Sequence, residues 1–129
     1  MADSHLGFSA YNKVDQYGRN IVEEKIYEGF KQVINKIIED IKPDAVIHAG
    51  DVFHHVRPRI RTLYIFKSEL EKLERKKIPT IIISGNHDAP KSSSTTSPFS
   101  LFEGLEHIHI VHNNEYQCIP IKSHVFHCI

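Results

Sequence analysis

Three short stretches of this sequence carry side chains of the kind that hold metal ions and move protons. Asp3-Ser4-His5 stands close to the first residue, Gly50-Asp51-Val52-Phe53-His54 lies mid-chain, and Gly85-Asn86-His87-Asp88 follows an isoleucine run. A carboxylate and an imidazole two apart on an extended segment point to the same side, so Asp3 and His5 can ligate one ion. Asp, His and Asn supply oxygen and nitrogen donors without thiolate, a set suited to manganese, iron or zinc. Two divalent ions about 3.5 to 4 Å apart are a known clamp for a phosphodiester. In such a site Asp51 is the natural bridging carboxylate, with Asp3 and His5 on one ion and Asn86 on the other. Each stretch alone also has an ordinary reading, Asp3 to His5 as a frayed terminus and Gly-Asn-His-Asp as a turn.

These donors act together only if the chain between them folds to bring them to one place. Ile81-Ile82-Ile83-Ser84 is an apolar run that stops at Gly85, and Ala45-Val46-Ile47-His48-Ala49 stops likewise at Gly50. Both read as buried strands. Asn20 with Glu23 three residues on predicts a capping box, and Ile26, Phe30, Val33, Ile34, Ile37, Ile38 and Ile41 then recur at helical spacing until Lys42 meets Pro43. Gly29 inside that helix costs about 1 kcal/mol relative to alanine. Pro58 fits the first turn of a second helix over residues 58–76, with Leu63, Phe66, Leu70 and Leu73 on its apolar face. Ser97 and Pro98 open a short helix over 98–105 carrying Phe99 and Phe102, which Gly104 stops. Residues 107–111 and 117–121 read as a strand pair around Asn113-Asn114, and 123–129 as part of a further strand. Strands alternating with helices imply parallel right-handed crossovers, hence an α/β fold whose ligand-bearing loops emerge on one edge. That convergence turns three ordinary stretches into one candidate site.

Composition sets the remaining bounds. The 129 residues make one domain, 40% hydrophobic and 25% charged, with no apolar run long enough to span a membrane. Polar Asp3, Ser4 and His5 stand where the apolar part of a signal peptide would begin. Sixteen basic and sixteen acidic side chains cancel, so global charge does not argue for nucleic acid. The runs Arg57-Pro58-Arg59-Ile60-Arg61 and Arg75-Lys76-Lys77 read as solvated helix ends. Cys118 and Cys128 match no metal-ligand spacing, and a reducing cytoplasm is the default setting. Ten histidines are the compositional oddity and ask for a metal or acid–base explanation.

Asp3-x-His5, Gly50-Asp51-x-x-His54 and Gly85-Asn86-His87-Asp88 resemble the first three motifs of the calcineurin-like metallophosphoesterases. Asp3-Ser4-His5-Leu6-Gly7 and Gly50-Asp51-Val52-Phe53-His54 resemble more closely the double-strand-break repair nucleases of the SbcD or meiotic-recombination type. The arginine-bearing second motif of the related protein phosphatases is absent. The resemblance spans roughly residues 3–112. It implies a metallophosphoesterase-type sandwich of β-sheets flanked by helices, incomplete here, with residues 1–129 forming part of the nuclease domain. It implies two divalent ions, manganese foremost, held by Asp3, His5, Asp51 and Asn86. His87 then donates a proton to the leaving oxygen or steadies the phosphate, Asp88 orients the His87 imidazole, and His54 positions the DNA backbone. No role falls to His55. The activity implied is manganese-dependent exonuclease or endonuclease hydrolysis of DNA in double-strand-break repair, in the cytoplasm of a prokaryote or the nucleus of a eukaryote. The partners implied are DNA, a second copy docked through helices 58–76 and 98–105, and an SMC-like ABC-type ATPase.

The match has two gaps. The family begins with a strand ahead of its Asp-x-His motif, whereas only Met1 and Ala2 precede Asp3. Downstream it requires a lone histidine and a Gly-His-x-His motif, and His124-Val125-Phe126-His127 lacks the glycine and lies too near Asn86. The expectation is therefore an excerpt that binds manganese weakly and turns over little DNA. Two other classes stay open: a phosphomonoesterase or cyclic phosphodiesterase of the same superfamily, and a non-catalytic dimerisation module with vestigial histidines.

Overall fold

The computed structural model describes residues 1–129 apart from 91, 93, 94 and 113–115. Helix α1 (Ile21–Lys36) starts at Asn20, whose side chain accepts the amides of Val22 and Glu23. Only half of the expected capping box forms. The Glu23 carboxylate turns inward to the Tyr27 hydroxyl at 2.7 Å rather than back to the cap. The helix continues as a π-turn over Ile37–Ile41 and stops at Lys42, which takes a left-handed φ of 47° just before Pro43. Helix α2 (Ile60–Arg75) begins two residues later than Pro58 allows for, with Arg59 at the cap position. Phe66, Leu70 and Leu73 are buried as their spacing predicts, and Thr62, Ile65 and Glu69 join them.

Strands β1 (Val46–Ala49), β2 (Thr80–Ile83) and β3 (Ile108–Val111) form one parallel sheet in that order. Val46 pairs with Thr80, and Thr80 with Ile108. Pleating separates the two faces of β2. Ile82 joins the helix-side core with Phe30, Ile34, Phe66 and Leu70, while Ile81 packs on the opposite side with Val111, Ile119 and Ile121. That second side is covered by an antiparallel hairpin of β4 (Gln117–Ile121) and β5 (His124–Cys128), so the architecture is helices, parallel sheet and hairpin in layers.

Three expectations need correction. Residues 107–111 and 117–121 do not pair: β3 joins β2, and β4 takes β5 as its partner through the tight turn at Lys122 and Ser123. The expected turn at Asn113-Asn114 lies outside the described residues. The helix over 98–105 is a five-residue 3₁₀ segment, Pro98–Phe102, with Ser97 capping Phe99. In a 3₁₀ turn residues three apart eclipse, which sends both Phe99 and Phe102 into the core. Finally, residues 1–5 form no strand and the Asp3–His5 segment is not extended as expected, since both residues hold positive φ, yet backbone bonds tie it to the end of β1. Ala49 donates to the Met1 carbonyl at 2.8 Å, and the Asp3, His5 and Leu6 amides bond the carbonyls of Gly50, Asp51 and Val52, so residues 1–6 run parallel beside the end of β1.

Candidate metal centre

β1 and β2 are parallel neighbours with Ala49 opposite Ile83, so the next residues of both leave the sheet side by side. Two glycines make this proximity possible. A Cβ on Gly50 would stand 3.1 Å from the Gly85 Cα, and one on Gly85 would stand 2.2 Å from Asp51 Oδ1 and 2.4 Å from its amide nitrogen. Asp51 itself takes a left-handed φ of 53°, and its Oδ1 accepts the His87 amide at 3.0 Å. The carboxylate after β1 and the turn after β2 thus form one unit. Asn86 lies on that turn between Gly85 and His87, with its side chain exposed.

The first stretch is brought to the same rim by the backbone bonds of residues 3–6 to the 50–52 loop. Asp3 and His5 both hold positive φ, 55° and 43°, a costly conformation for residues with a Cβ. A side-chain bond holds the segment between them: Ser4 Oγ lies 2.7 Å from His48 Nε2. His48 is 3% exposed, and its Nδ1 is buried with no partner. Burial, aided by the positive N-terminus, pushes its pKa down to about 4, so the ring is neutral. Donor atoms of Asp3, His5 and Asp51 consequently lie within 4.8 Å of one another. Two carboxylates and an imidazole suit a divalent cation of the manganese or iron type.

His54 and His87 stand against this group. His5 packs edge-on to both, at ring-centre distances of 5.3 and 4.9 Å, and His54 stacks on His87 at 5.2 Å. Partial burial, followed by the nearby rings of His55, His5 and His87, holds the His54 imidazole below its usual range. Phe8 completes the wall, edge-on to His54 at 4.8 Å. Asp3, Ser4, His5, Phe8, Ile26 and His54 line a shallow depression over the site.

The assignment of Asp88 as the orienter of His87 does not hold. The Asp88 carboxylate is wholly buried and accepts the amides of Val52 and Phe53 through one oxygen and of Gly85 through the other. Burial raises its pKa while those amides pull it back. It is a buried clamp between the second and third motif loops. His87 is oriented instead by the His54 carbonyl, 3.2 Å from its Nδ1.

Sequence reasoning missed the supports. Phe53 is fully buried among Phe66, Phe99 and Phe102 and anchors the Asp51-bearing loop in the core. Beneath Gly7 lies the Thr62 hydroxyl, bonded to Tyr27 at 2.7 Å, which in turn bonds buried Glu23. A buried Thr on the apolar face of α2 leaves no periodic signal, whereas an imidazole inside an apolar strand run, as at His48, is a signal the sequence offers.

Residues 1–128 match the family model for the calcineurin-like phosphoesterases. The chain is 41% identical over 126 residues to the DNA double-strand break repair protein Mre11 of Methanococcus maripaludis, covering 98% of this chain and 31% of that protein. It is 40% identical over 103 residues to the Mre11 protein of Methanocaldococcus jannaschii, covering 80% of this chain and 26% of that one. Against the Mre11 protein of Sulfolobus acidocaldarius the identity is 35% over 112 residues, with coverages of 86% and 27%. The chain therefore spans about a quarter to a third of the length of these curated relatives.

Proposed function

The chain belongs to the calcineurin-like phosphoesterase family, and on that premise we propose that it carries part of the metal centre of a manganese-dependent DNA nuclease acting in double-strand-break repair. The observation that carries this reading is the gathering of Asp3, His5 and Asp51 donor atoms within 4.8 Å beside the Asn86–His87 turn. Members of the family use divalent metals, and here Asp3, His5, Asp51 and Asn86 are the residues to hold them. A divalent ion pair, when bound, supplies charge neutralisation at the phosphoryl group and lowers the pKa of water.

The protein's own residues supply the rest. His87 is fixed through Nδ1 on the His54 carbonyl; in its imidazolium form its Nε2 delivers a proton to the leaving oxygen or steadies the phosphate. His54, whose pKa partial burial lowers, is placed beside it to contact the DNA backbone. Phe8 and the stacked imidazoles wall one side of the site. A second copy docks along α2, where Ile60 and Tyr64, one turn apart, are 85% and 72% exposed. The segment expected as the other docking helix, 98–105, offers little to that contact, because Phe99 and Phe102 serve the internal core, and on α2 Leu63 packs against the same core. The resemblance to the repair nucleases supports manganese as the metal and an SMC-like ATPase as partner. No helix among the described residues is long and apolar enough to cross a membrane.

Manganese titration of this chain and of Asp51→Asn, read by calorimetry, tests the metal assignment. The expected result is binding by the first that the second loses. Absence of binding by both would overturn it. Linear DNA and a small chromogenic phosphodiester, offered side by side with manganese, test the substrate. Turnover confined to the small ester would assign a small-molecule phosphodiesterase instead.

A further inference from the structure

The carboxylates are only half of what surrounds His5. Its Nε2 lies 3.9 Å from Asp3 Oδ1, whereas its Nδ1 stands 3.4 Å from Nδ1 of His54. One ring nitrogen from each of His5, His54 and His87 lies within 4.8 Å of the others, a group that shares only His5 with the Asp3, His5 and Asp51 set. We propose that His5, His54 and His87 form a second, imidazole-only metal site of the zinc class, and that filling it excludes an ion from the carboxylate set.

One pair of ring nitrogens has the spacing that zinc requires. With Zn–N bonds of about 2.0 to 2.1 Å, two nitrogens on one tetrahedral ion stand about 3.3 Å apart. The His5 and His54 nitrogens are already at that spacing. His87 carries the arrangement usual for a ligating imidazole: Nδ1 lies in hydrogen-bonding reach of a backbone carbonyl, that of His54, which fixes the ring and leaves the lone pair on Nε2. The three rings pack on one another, with centres 4.9 to 5.3 Å apart, so little side-chain freedom remains to be lost on closing around an ion. Three imidazoles without thiolate favour zinc over manganese, whose preference is for carboxylate oxygen, and leave a fourth position for water.

Exclusion follows from the chemistry of a single ring. Neutral imidazole has one lone pair and one N–H. When His5 ligates through Nδ1, its Nε2 bears the proton and faces Asp3 as a hydrogen-bond donor, so it has nothing to offer an ion on that side. The tautomer of His5 therefore selects between the two sites. The exclusion rests on the manganese reading of the carboxylate set, while the imidazole site does not.

Calorimetric titration with zinc chloride alone, and electron paramagnetic resonance of the manganese-loaded chain, separate the two. Zinc is expected to bind more tightly than manganese. His54→Gln and His87→Gln are each expected to weaken zinc about tenfold or more, as loss of one ligand does, while leaving manganese affinity within about twofold. Adding zinc to the manganese-loaded wild-type chain should restore the signal of free manganese. Unchanged zinc affinity in the folded variants would overturn the site. Zinc and manganese held together would overturn the exclusion, and this measurement needs no variant. Failure of the wild-type chain to bind manganese would instead count against the proposed catalytic pair, with the zinc titration standing by itself.

Discussion

Asp51 Oδ1 accepts the backbone amide of His87 at 3.0 Å, which locks the carboxylate that follows β1 to the imidazole-bearing turn that follows β2. The pair can meet because position 85 has no side chain. Replacing Gly85 by alanine would set a Cβ 2.4 Å from the Asp51 amide nitrogen, a backbone atom that cannot swing aside. Gly85→Ala is expected to destabilise the fold by about 1 to 3 kcal/mol, the range for forced overpacking, and to weaken manganese binding by displacing Asp51. Gly29→Ala is the matched control. Its Cβ meets nothing within 4 Å in the middle of α1, so it should stabilise by about 0.5 to 1 kcal/mol. Urea unfolding of both variants checks the contrast.

The Asp88 carboxylate accepts three amides while wholly buried. Asp88→Ala leaves the Val52, Phe53 and Gly85 donors without partners in the interior, at about 1 to 3 kcal/mol for each such group, less whatever water reaches them. A loss of about 3 kcal/mol or more is expected, seen as a lowered denaturation midpoint. If Asp88 acted mainly on the His87 ring, the variant would keep wild-type stability and change only the pH profile of turnover.

Much of this arrangement was legible in the amino-acid order. The isoleucine run ending at Gly85 and the Val-Ile-His-Ala run ending at Gly50 mark two strands, because an apolar β-branched run bounded by glycine has few other uses. Their loops carry the donors because parallel strands release their carboxyl ends on one edge. The pairing of β3 was not legible, since residues 107–111 and 117–121 look alike as strands and only the packing of Ile81 against Ile119 assigns the hairpin to the far face. Asp88 misled for a related reason. A carboxylate next to an imidazole in sequence suggests contact, but backbone geometry turned it inward to the amides of another loop. The tether from Ser4 to His48 spans 44 positions and leaves no periodic trace.

Tyr27 joins the two helices at the level of the first motif. Its hydroxyl donates to Glu23 Oε1 and lies 2.7 Å from Thr62 Oγ1, and burial, the leading cause, pushes its pKa up to about 12. Tyr27→Phe removes the short bond to a carboxylate that is 5% exposed and whose nearest cation, Arg59, is 3.6 Å away. The expected loss is about 1.5 to 3 kcal/mol, the range for a hydrogen bond to a charged group. Glu23→Gln retains an acceptor for the hydroxyl and should lose less. Chemical denaturation of the two variants gives the order.

His48 gives the fold a pH dependence whose sign can be worked out. Its pKa is about 4 in the folded chain, against 6.5 for the unperturbed ring, so below pH 6.5 the unfolded chain binds the proton and the folded chain does not. Stability from this group is complete above pH 6.5, falls as the pH drops, and is fully lost below about 4. A separation of about 2.5 units corresponds to about 3 kcal/mol across that window. His54 shifts in the same direction but is partly exposed and adds less. His48→Gln carries no titrating ring and can still bond the Ser4 hydroxyl. Its unfolding free energy, measured by urea at steps between pH 7 and pH 4, should therefore decline less steeply than that of the wild-type chain. Parallel declines would show that protonation of His48 is not what the acid limb of the stability curve reports.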